Sequence, residues 1–173
     1  MKKILFSCVA LVVFSVLSRA QEIQIKQIVP FSYAYLECEG SYRQIPVKIG
    51  TFMQEFFKQK LWPAGGFFGL YLNSPQQVKE EELKWQVGFP VAKEAAVAAP
   101  LEKGEFTHTQ VAVCLYVGPY ENIGGAFGRI FQYIDDSGFQ VSGPIMEKYL
   151  DQNPQSVKPA ELRTEINIPV EKK

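Results

Sequence analysis

The sequence has few of the residues on which most metal and catalytic sites depend. Only one of its 173 residues, His108, is a histidine, and three are cysteines. No histidines and cysteines stand at the spacing of metal ligands, and no Ser-His-Asp or Cys-His arrangement is present. We therefore expect His108 to be a lone surface histidine, and we expect no metal and no cofactor.

An excess of positive charge is also missing. The 18 lysines and arginines are balanced by 18 aspartates and glutamates. A surface that binds nucleic acid needs a basic patch to neutralise phosphates. The composition therefore predicts that no nucleic acid is a partner.

The only long apolar run lies at the start of the chain. A basic beginning (MKK) is followed by the apolar run Ile4–Leu17 and the small-residue pattern Ser18–Ala20. This order predicts a secretory signal peptide over residues 1–20, removed to leave residues 21–173. The run is shorter than the roughly 20 residues of a membrane-spanning helix. We expect an exported, periplasmic or extracellular protein with no membrane partner after cleavage; an uncleaved membrane anchor is the alternative.

Two of the three cysteines, Cys38 and Cys114, lie in the predicted mature chain. An oxidising compartment permits a disulfide between them. The sequence leaves open whether their Cα atoms come within the roughly 7 Å that a disulfide requires.

An internal repeat organises the rest of the chain. The segment Gly40–Ile45 (GSYRQI) returns as Gly118–Ile123 (GPYENI). Further along, Glu82–Val91 (ELKWQVGFPV) returns as Glu161–Val170 (ELRTEINIPV), with one residue inserted between the two anchors. Self-similarity of this kind indicates two copies of one structural unit.

Each copy contains one apolar stripe with helical spacing, which predicts a helix that buries one side against a sheet. Gly50 and Gly128 occupy the same position in the two helices, where glycine costs about 1 kcal/mol relative to alanine. We expect a close approach of each helix to the sheet at these glycines. The stripes are Ile45, Ile49, Phe52, Met53 and Phe56 in the first copy, and Ile123, Phe127, Ile130, Phe131 and Ile134 in the second.

The segments around the helices are rich in β-branched and aromatic residues, so each copy is predicted to be a β-α-β-β module. Two such modules give an α+β fold, a mostly antiparallel sheet with both helices on one face. Repeat one spans about residues 25–91 and repeat two about residues 107–170, with residues 92–106 as a linker. The predicted strands are Tyr33–Cys38, Phe67–Asn73 and Leu83–Phe89, then Val111–Val117, Ile145–Asp151 and Leu162–Ile168.

Three of these segments carry a family resemblance: Tyr116–Ile123, Pro144–Leu150 and Glu161–Val170. Together they resemble GyrI-like domains, and the similarity extends over about residues 25–170. The same domain is the effector-binding half of MerR-type and AraC-type multidrug regulators. The resemblance implies two modules related by a pseudo-two-fold axis, with a ligand groove between them. Unlike those regulators, this chain is expected to lack a DNA-binding domain and to carry an export signal.

The resemblance also implies a ligand class and a site residue. The groove of the family takes lipophilic, often cationic, aromatic molecules, and a glutamate on the middle strand of the second module reaches into it. The matching residue is Glu147. Strand alternation places Glu147 and Tyr149 on one face and Met146 and Leu150 on the other, which we expect to meet the helices. The counterpart of Glu147 in the first copy is Gly69, which we expect to leave room for a ligand.

An unpaired carboxylate in an apolar strand tends either to take up a proton or to bind a cation. Aromatic side chains near it could add cation–π attraction of about 0.5–2 kcal/mol each. The alternative is that Glu147 pairs with a structural lysine or arginine and that the aromatics belong to the core. The candidate ligand-binding residues are Glu147, Tyr149, Tyr71, Trp85, Tyr35, Tyr33 and Phe67.

Three functions remain open from the sequence. The first is a non-catalytic module that binds a lipophilic small molecule. The second is a hydrolase of strained electrophilic toxins, as some GyrI-like proteins are, with Glu147 as general base. The third is tetrapyrrole binding, because SOUL-type haem proteins share this pair of modules.

Overall fold

The computed structural model describes residues 22–173, so the predicted signal peptide lies outside the described residues. Within them, nine strands and two α-helices follow one another along the chain. No helix in this range is long and apolar enough to cross a membrane. The elements are β1 (Ile23–Gln27), β2 (Phe31–Glu39), α1 (Ile45–Lys58), β3 (Phe68–Tyr71), β4 (Lys84–Pro90), β5 (Glu102–Phe106), β6 (Gln110–Val117), α2 (Gly124–Asp136), β7 (Phe139–Val141), β8 (Ile145–Tyr149) and β9 (Arg163–Lys172).

The strands form one open sheet in the order β1-β6-β9-β8-β3-β4-β2-β5, with β7 pairing with β9 beside this path. Every pairing is antiparallel. When each strand of this path is exchanged for its counterpart in the other repeat, the same order results, read from the opposite edge of the sheet. A pseudo-two-fold axis therefore passes between β3 and β8, where Gly69 faces Glu147 in register. The α+β fold predicted from the repeat is confirmed.

The two modules exchange their leading strands. β1 precedes module one in the chain but pairs with β6 of module two, and β5 precedes module two but pairs with β2 of module one. The prediction that residues 92–106 form only a linker is therefore wrong over Glu102–Phe106. The sequence EKGEF has no alternating apolar pattern, and its pairing with β2 is what makes this segment a strand.

Each helix presents two different apolar rows. Phe52 and Phe56 of α1, like Ile130 and Ile134 of α2, are buried against the sheet. The other members of the predicted stripes are not buried against the sheet in this way. Phe131, for example, is 40% exposed. Ile45, Ile49 and Met53 line an open cleft together with Ile123, Phe127 and Phe131.

The expected close approach at the two helix glycines is wrong. A Cβ atom added to Gly50 or to Gly128 would meet no atom within 4 Å beyond the helix itself. Both residues are exposed, so contact with the sheet does not explain them.

The helices cover the face of the sheet that carries Glu147, which corrects the expected orientation. Met146 points to the opposite face, into a core with Tyr33, Phe68, Leu70, Phe106, Val111 and Val113. On the helix face each module has a core of its own. Cys38 is buried in the first and Cys114 in the second, both as free thiols.

Candidate functional site

A cleft of about 2170 Å³ opens over the central strands, between residues of the two helices. Its walls repeat under the pseudo-two-fold. Ile49 and Met53 of α1 have their counterparts in Phe127 and Phe131 of α2, and all four line the cleft. β3 and β8 contribute its floor through Tyr71, Ile145, Glu147 and Tyr149.

Glu147 lies on the floor of this cleft, beside the pseudo-two-fold axis, and is only 6% exposed. The Tyr71 hydroxyl donates a hydrogen bond to Oε2 at 3.0 Å, and the Tyr149 hydroxyl approaches the same oxygen at 3.4 Å. The two hydroxyls also lie 3.0 Å apart. Within residues 22–173 no hydrogen bond or ion pair reaches Oε1. One oxygen of the carboxylate is therefore without a hydrogen-bond partner among the described residues.

Burial raises the pKa of Glu147 from its ordinary value of 4.5 to about 7, and the tyrosine hydrogen bonds lower it in part. Two hydroxyl groups do not compensate for the loss of hydration that a buried carboxylate suffers. Burial also raises the pKa of Tyr71, and the nearby Tyr149 and Glu147 add to the rise. The phenols therefore remain protonated and serve as donors at neutral pH.

Two tyrosines from the turns before the helices complete the aromatic surroundings. Tyr42 precedes α1 and packs edge-on against Tyr71, with ring centroids 5.2 Å apart and an interplanar angle of 80°. Tyr120 precedes α2 and packs against Tyr149 at 5.4 Å and the same angle. The carboxylate thus lies between two equivalent tyrosine pairs.

The ionisable residues of the cleft are acidic or phenolic. Glu121, Glu147 and Asp151 line it, while no lysine, arginine or histidine does so in the described part of the chain. Asp151 is neutralised by Arg163, which contacts its Oδ1 at 2.8 Å. Glu121 and Glu147 take part in no ion pair among residues 22–173. The charged side chains that line the cleft in the described part of the chain are therefore all acidic.

Comparison with known families agrees with this geometry. The profile of the GyrI-like small molecule binding domain matches residues 21–171. The chain belongs to the GyrI-like family. No curated protein matches it.

Solved structures with the same fold have low sequence identity to this GyrI-like chain. The C-terminal domain of EcmrR superposes with a TM-score of 0.75 at 20% identity, covering 89% of this chain and 99% of that domain. In the EcmrR–DNA complex the match spans 88% of this chain but 58% of the longer EcmrR chain, with a TM-score of 0.77 and 20% identity.

Two further solved structures share this fold; one holds a bound ligand and the other is a hydrolase. SAV2435 bound to tetraphenylphosphonium has a TM-score of 0.59 at 18% identity, covering 87% of this chain and 94% of that one. A hydrolase from Listeria innocua has a TM-score of 0.65 at 9% identity, covering 87% and 92%.

Four of the seven predicted site residues lie together at the cleft: Glu147, Tyr149, Tyr71 and Phe67. Phe67 stacks on Tyr149 with ring centroids 5.9 Å apart. A side chain at Gly69 would approach both the Tyr71 and the Tyr149 hydroxyl to 3.2 Å. The space beside Glu147 is therefore filled by these hydroxyls, which corrects the expectation that Gly69 leaves room for a ligand.

The other three predicted residues do not line the cleft. Tyr33 and Tyr35 point to the opposite face of the sheet, where their hydroxyls donate to Gln86 and Glu102. Trp85 is on the helix face but fully buried, and its Nε1 donates to the Gly40 carbonyl at 3.1 Å. Its ring lies 6.2 Å from that of Tyr42, so it supports the cleft from below.

Tyr42 and Tyr120 are the main site residues that sequence reasoning missed. Both belong to the repeated segment that identified the two modules, Gly-x-Tyr before each helix. The signal was present in the repeat itself, because a tyrosine stands at the same position of both copies, outside the helical stripe.

His108 is half-buried and packs against Phe106, with ring centroids 5.1 Å apart. It lies beside Gly143 rather than in the cleft. No group of three or more metal-binding side chains occurs in residues 22–173.

Proposed function

We propose that the cleft binds a lipophilic cation with aromatic groups, and that the protein does so without catalytic turnover. The observation that carries the proposal is the free Oε1 of Glu147, a carboxylate oxygen on the floor of a large apolar cleft. A cation placed against this oxygen would supply the positive charge that no described side chain provides to Glu147.

The energetic argument compares the empty and occupied cleft. An ionised carboxylate in apolar surroundings is costly unless a positive charge or several donors compensate it. A bound cation lowers this cost, and the rings of Tyr42 and Tyr120 can add cation–π attraction of about 0.5–2 kcal/mol each. Affinity then depends on the charge of the ligand as well as on its apolar surface.

The size of the cleft favours breadth over narrow selectivity. Typical ligand pockets measure about 300–1,000 Å³, and this cleft is larger, at about 2170 Å³. Apolar walls and one charged group impose few directional constraints on a ligand. The bound tetraphenylphosphonium of SAV2435 belongs to the proposed class and supports the choice of a test compound.

Calorimetry with tetraphenylphosphonium tests the proposal. Glu147→Gln keeps the shape of the side chain but removes its charge, so loss of a charge-assisted contact should weaken binding by about 1.5–3 kcal/mol. A neutral ligand of similar shape, triphenylphosphine oxide, should lose much less. Equal binding of the cation to both proteins would assign Glu147 a structural role and remove the basis for a cationic ligand.

A second candidate function, hydrolysis of a strained electrophile, is favoured by one observation. Burial raises the pKa of Glu147 to about 7, which suits a general base at neutral pH. Tyr71 and Tyr149 could donate hydrogen bonds to a developing negative charge. Incubation with a cyclopropane-containing electrophile decides between the two: product formation that Glu147→Gln abolishes would replace the binding proposal with the enzymatic one.

We further propose that the protein acts outside the cytoplasm, on the basis of the predicted signal peptide over residues 1–20. Intact-mass analysis of the exported protein should show an amino terminus at or within a few residues of Gln21. Recovery of the uncleaved chain in the membrane fraction would contradict this.

A further inference from the structure

The end of α1 exposes an unusual set of side chains. Phe57 is 53% exposed and Trp62 is 80% exposed, and the side chain of Lys58 is 69% exposed. Lys60, between them, is also exposed. We call these four residues the helix-end surface. Two large exposed aromatics and two exposed lysines within six residues are a combination that folding alone does not favour on a surface.

Module two supplies an internal control for this surface. Its equivalent segment ends α2 and continues into β7. There the same four positions, in order, are Asp135, Asp136, Gly138 and Gln140. The fold is thus compatible with acidic and small polar residues at these sites, so it does not require the aromatics and lysines of module one.

The backbone at Lys60 adds an independent observation. The Lys60 N–H bonds to the Phe57 carbonyl at 3.0 Å, and the Leu61 N–H bonds to the Phe56 carbonyl at 3.2 Å. This ending places Lys60 in the left-handed region, with φ of +57°. Glycine is the usual residue there, and Gly138 occupies the same place in module two with φ of +78°. Lysine is held at a conformational cost, which points to a use for its charge.

We propose that the helix-end surface contacts an anionic lipid bilayer. Phe57 and Trp62 would lie at the level of the headgroups, where aromatic side chains are favoured, and the lysines would face the lipid phosphates. Lys60 takes part in no ion pair within residues 22–173, while Lys58 contacts Glu55 at 3.1 Å. This contact is peripheral, and it departs from the expectation that the mature chain has no membrane partner.

The position of this surface connects it to the cleft. Pro63, Gly65 and Gly66 follow Trp62 in the chain, and all three line the cleft. Contact through Trp62 would place this end of the cleft against the bilayer, into which lipophilic cations partition. That connection rests on the proposed function, whereas the lipid contact itself does not.

Vesicle binding tests the inference, with phosphatidylcholine vesicles that either contain or lack about one-third phosphatidylglycerol. The wild-type protein should sediment with the anionic vesicles, and less so as salt rises from about 50 mM to about 500 mM. Trp85 is fully buried and Trp62 is the only other tryptophan, so a blue shift of the emission on binding would report Trp62 directly. All variants are compared in one amino-terminal form, so that residues 1–20 contribute equally.

Two substitutions take their new residues from module two. Phe57→Asp and Trp62→Gln should each reduce the ratio of bound to free protein roughly tenfold or more, because each removes an interfacial aromatic. Val29 is 83% exposed in the turn between β1 and β2, and Val29→Ser is the matched control that should bind as the wild type does. Tetraphenylphosphonium binding in solution should be unchanged in all three.

Three results would overturn the inference. The first is no sedimentation of the wild type with anionic vesicles. The second is equal sedimentation of wild type, Phe57→Asp and Trp62→Gln. The third is a lipid-free dimer that Trp62→Gln converts to a monomer, which would assign the surface to a second copy of the chain.

Discussion

The two modules share one topology but fill it with different residues, and two of the differences lie at or beneath the cleft. On the floor, Glu147 of module two faces Gly69 of module one across the axis. A Cβ atom at Gly69 would lie 3.2 Å from both the Tyr71 and the Tyr149 hydroxyl, so these hydroxyls would have to shift by a few tenths of an ångström. The tight space around the axis therefore favours one carboxylate with two phenols over two larger side chains.

A second difference lies beneath the two tyrosine pairs. In module one Cys38 pairs with Trp85, and at the equivalent place in module two Tyr116 pairs with Thr164. The large residue has moved from one strand to its neighbour. Trp85 donates to the Gly40 carbonyl, and Tyr116 donates to the Pro119 carbonyl at 3.0 Å, so each large residue ties down the turn before its helix.

In module two the replacement of the large residue by threonine leaves one polar atom of Thr164 unsatisfied. Its Oγ1 is the one buried side-chain nitrogen or oxygen without a hydrogen-bond partner in the described part of the chain. The same backbone has thus been packed in two ways, by tryptophan with cysteine and by tyrosine with threonine. The comparison shows that the fold specifies a large residue and a small one in this cross-strand pair, and not which of the two strands carries the large one.

The largest expected effect comes from breaking this complementarity. Trp85→Thr should lower the free energy of unfolding by about 3–5 kcal/mol, because it leaves a cavity beneath Tyr42. Adding Cys38→Tyr should restore part of the loss, since that pair then matches Tyr116 and Thr164. Urea denaturation of both single variants and the double variant measures the coupling free energy between the two substitutions. Strictly additive effects would contradict the idea that tyrosine at position 38 fills the space left by Trp85.

The next comparison tests whether the two helices are held equally. Phe52→Ala and Ile130→Ala, at equivalent fully buried positions, should each cost about 2–5 kcal/mol in thermal or urea unfolding. Phe131→Ala is the control on the cleft side and should cost less, because that ring is 40% exposed. A loss at Phe131 as large as that at Ile130 would show that the inner and outer rows of α2 are misassigned.

A third prediction concerns the carboxylate that only module two carries. Burial raises the pKa of Glu147 to about 7, above the ordinary 4.5, so the folded state holds a proton that the unfolded chain has lost between these pH values. Stability should therefore fall as pH rises through this window, by up to about 3 kcal/mol, and level off above it. In Glu147→Gln this fall should disappear; an unchanged pH profile would mean that Glu147 is not its source.

The smallest expected effect lies at the ends of the two helices. Lys60→Gly should stabilise the protein by about 0.5–1 kcal/mol, since glycine adopts positive φ without steric cost. Gly138→Ala should destabilise it by about 1 kcal/mol, and no neighbouring atom would clash with the new methyl group. Changes of equal sign in the two variants, measured by thermal unfolding, would contradict this account of the helix ends.

Sequence reasoning predicted the architecture because the repeat made each module a check on the other. The helical stripes and the strands around them were found in both copies, whereas β1, β5 and β7 were missed. β5 illustrates the reason: its charged sequence becomes a strand through pairing with β2, and such long-range pairing leaves no local pattern.

The site was predicted only in part, for a geometric reason. Alternation along a strand shows which residues share a face, and so grouped Glu147 with Tyr149, but it does not show which face the helices cover. Tyr33 and Tyr35 were placed in the site for that reason, although they belong to the opposite face. The burial of Trp85 depends on Tyr42 packing above it, which strand periodicity does not reveal.

The most direct test of the central claim is the pKa of Glu147, measured by carbon-13 NMR of its carboxyl group with and without saturating tetraphenylphosphonium. A buried carboxylate without a positively charged partner should titrate near pH 7 in the free protein. When the cation binds beside Oε1, the pKa should fall by about 1–3 units, because an opposite charge favours the ionised form. A pKa near 4.5 in the free protein, or one that the cation leaves unchanged, would contradict the claim that the Glu147 carboxylate pairs with the positive charge of the ligand.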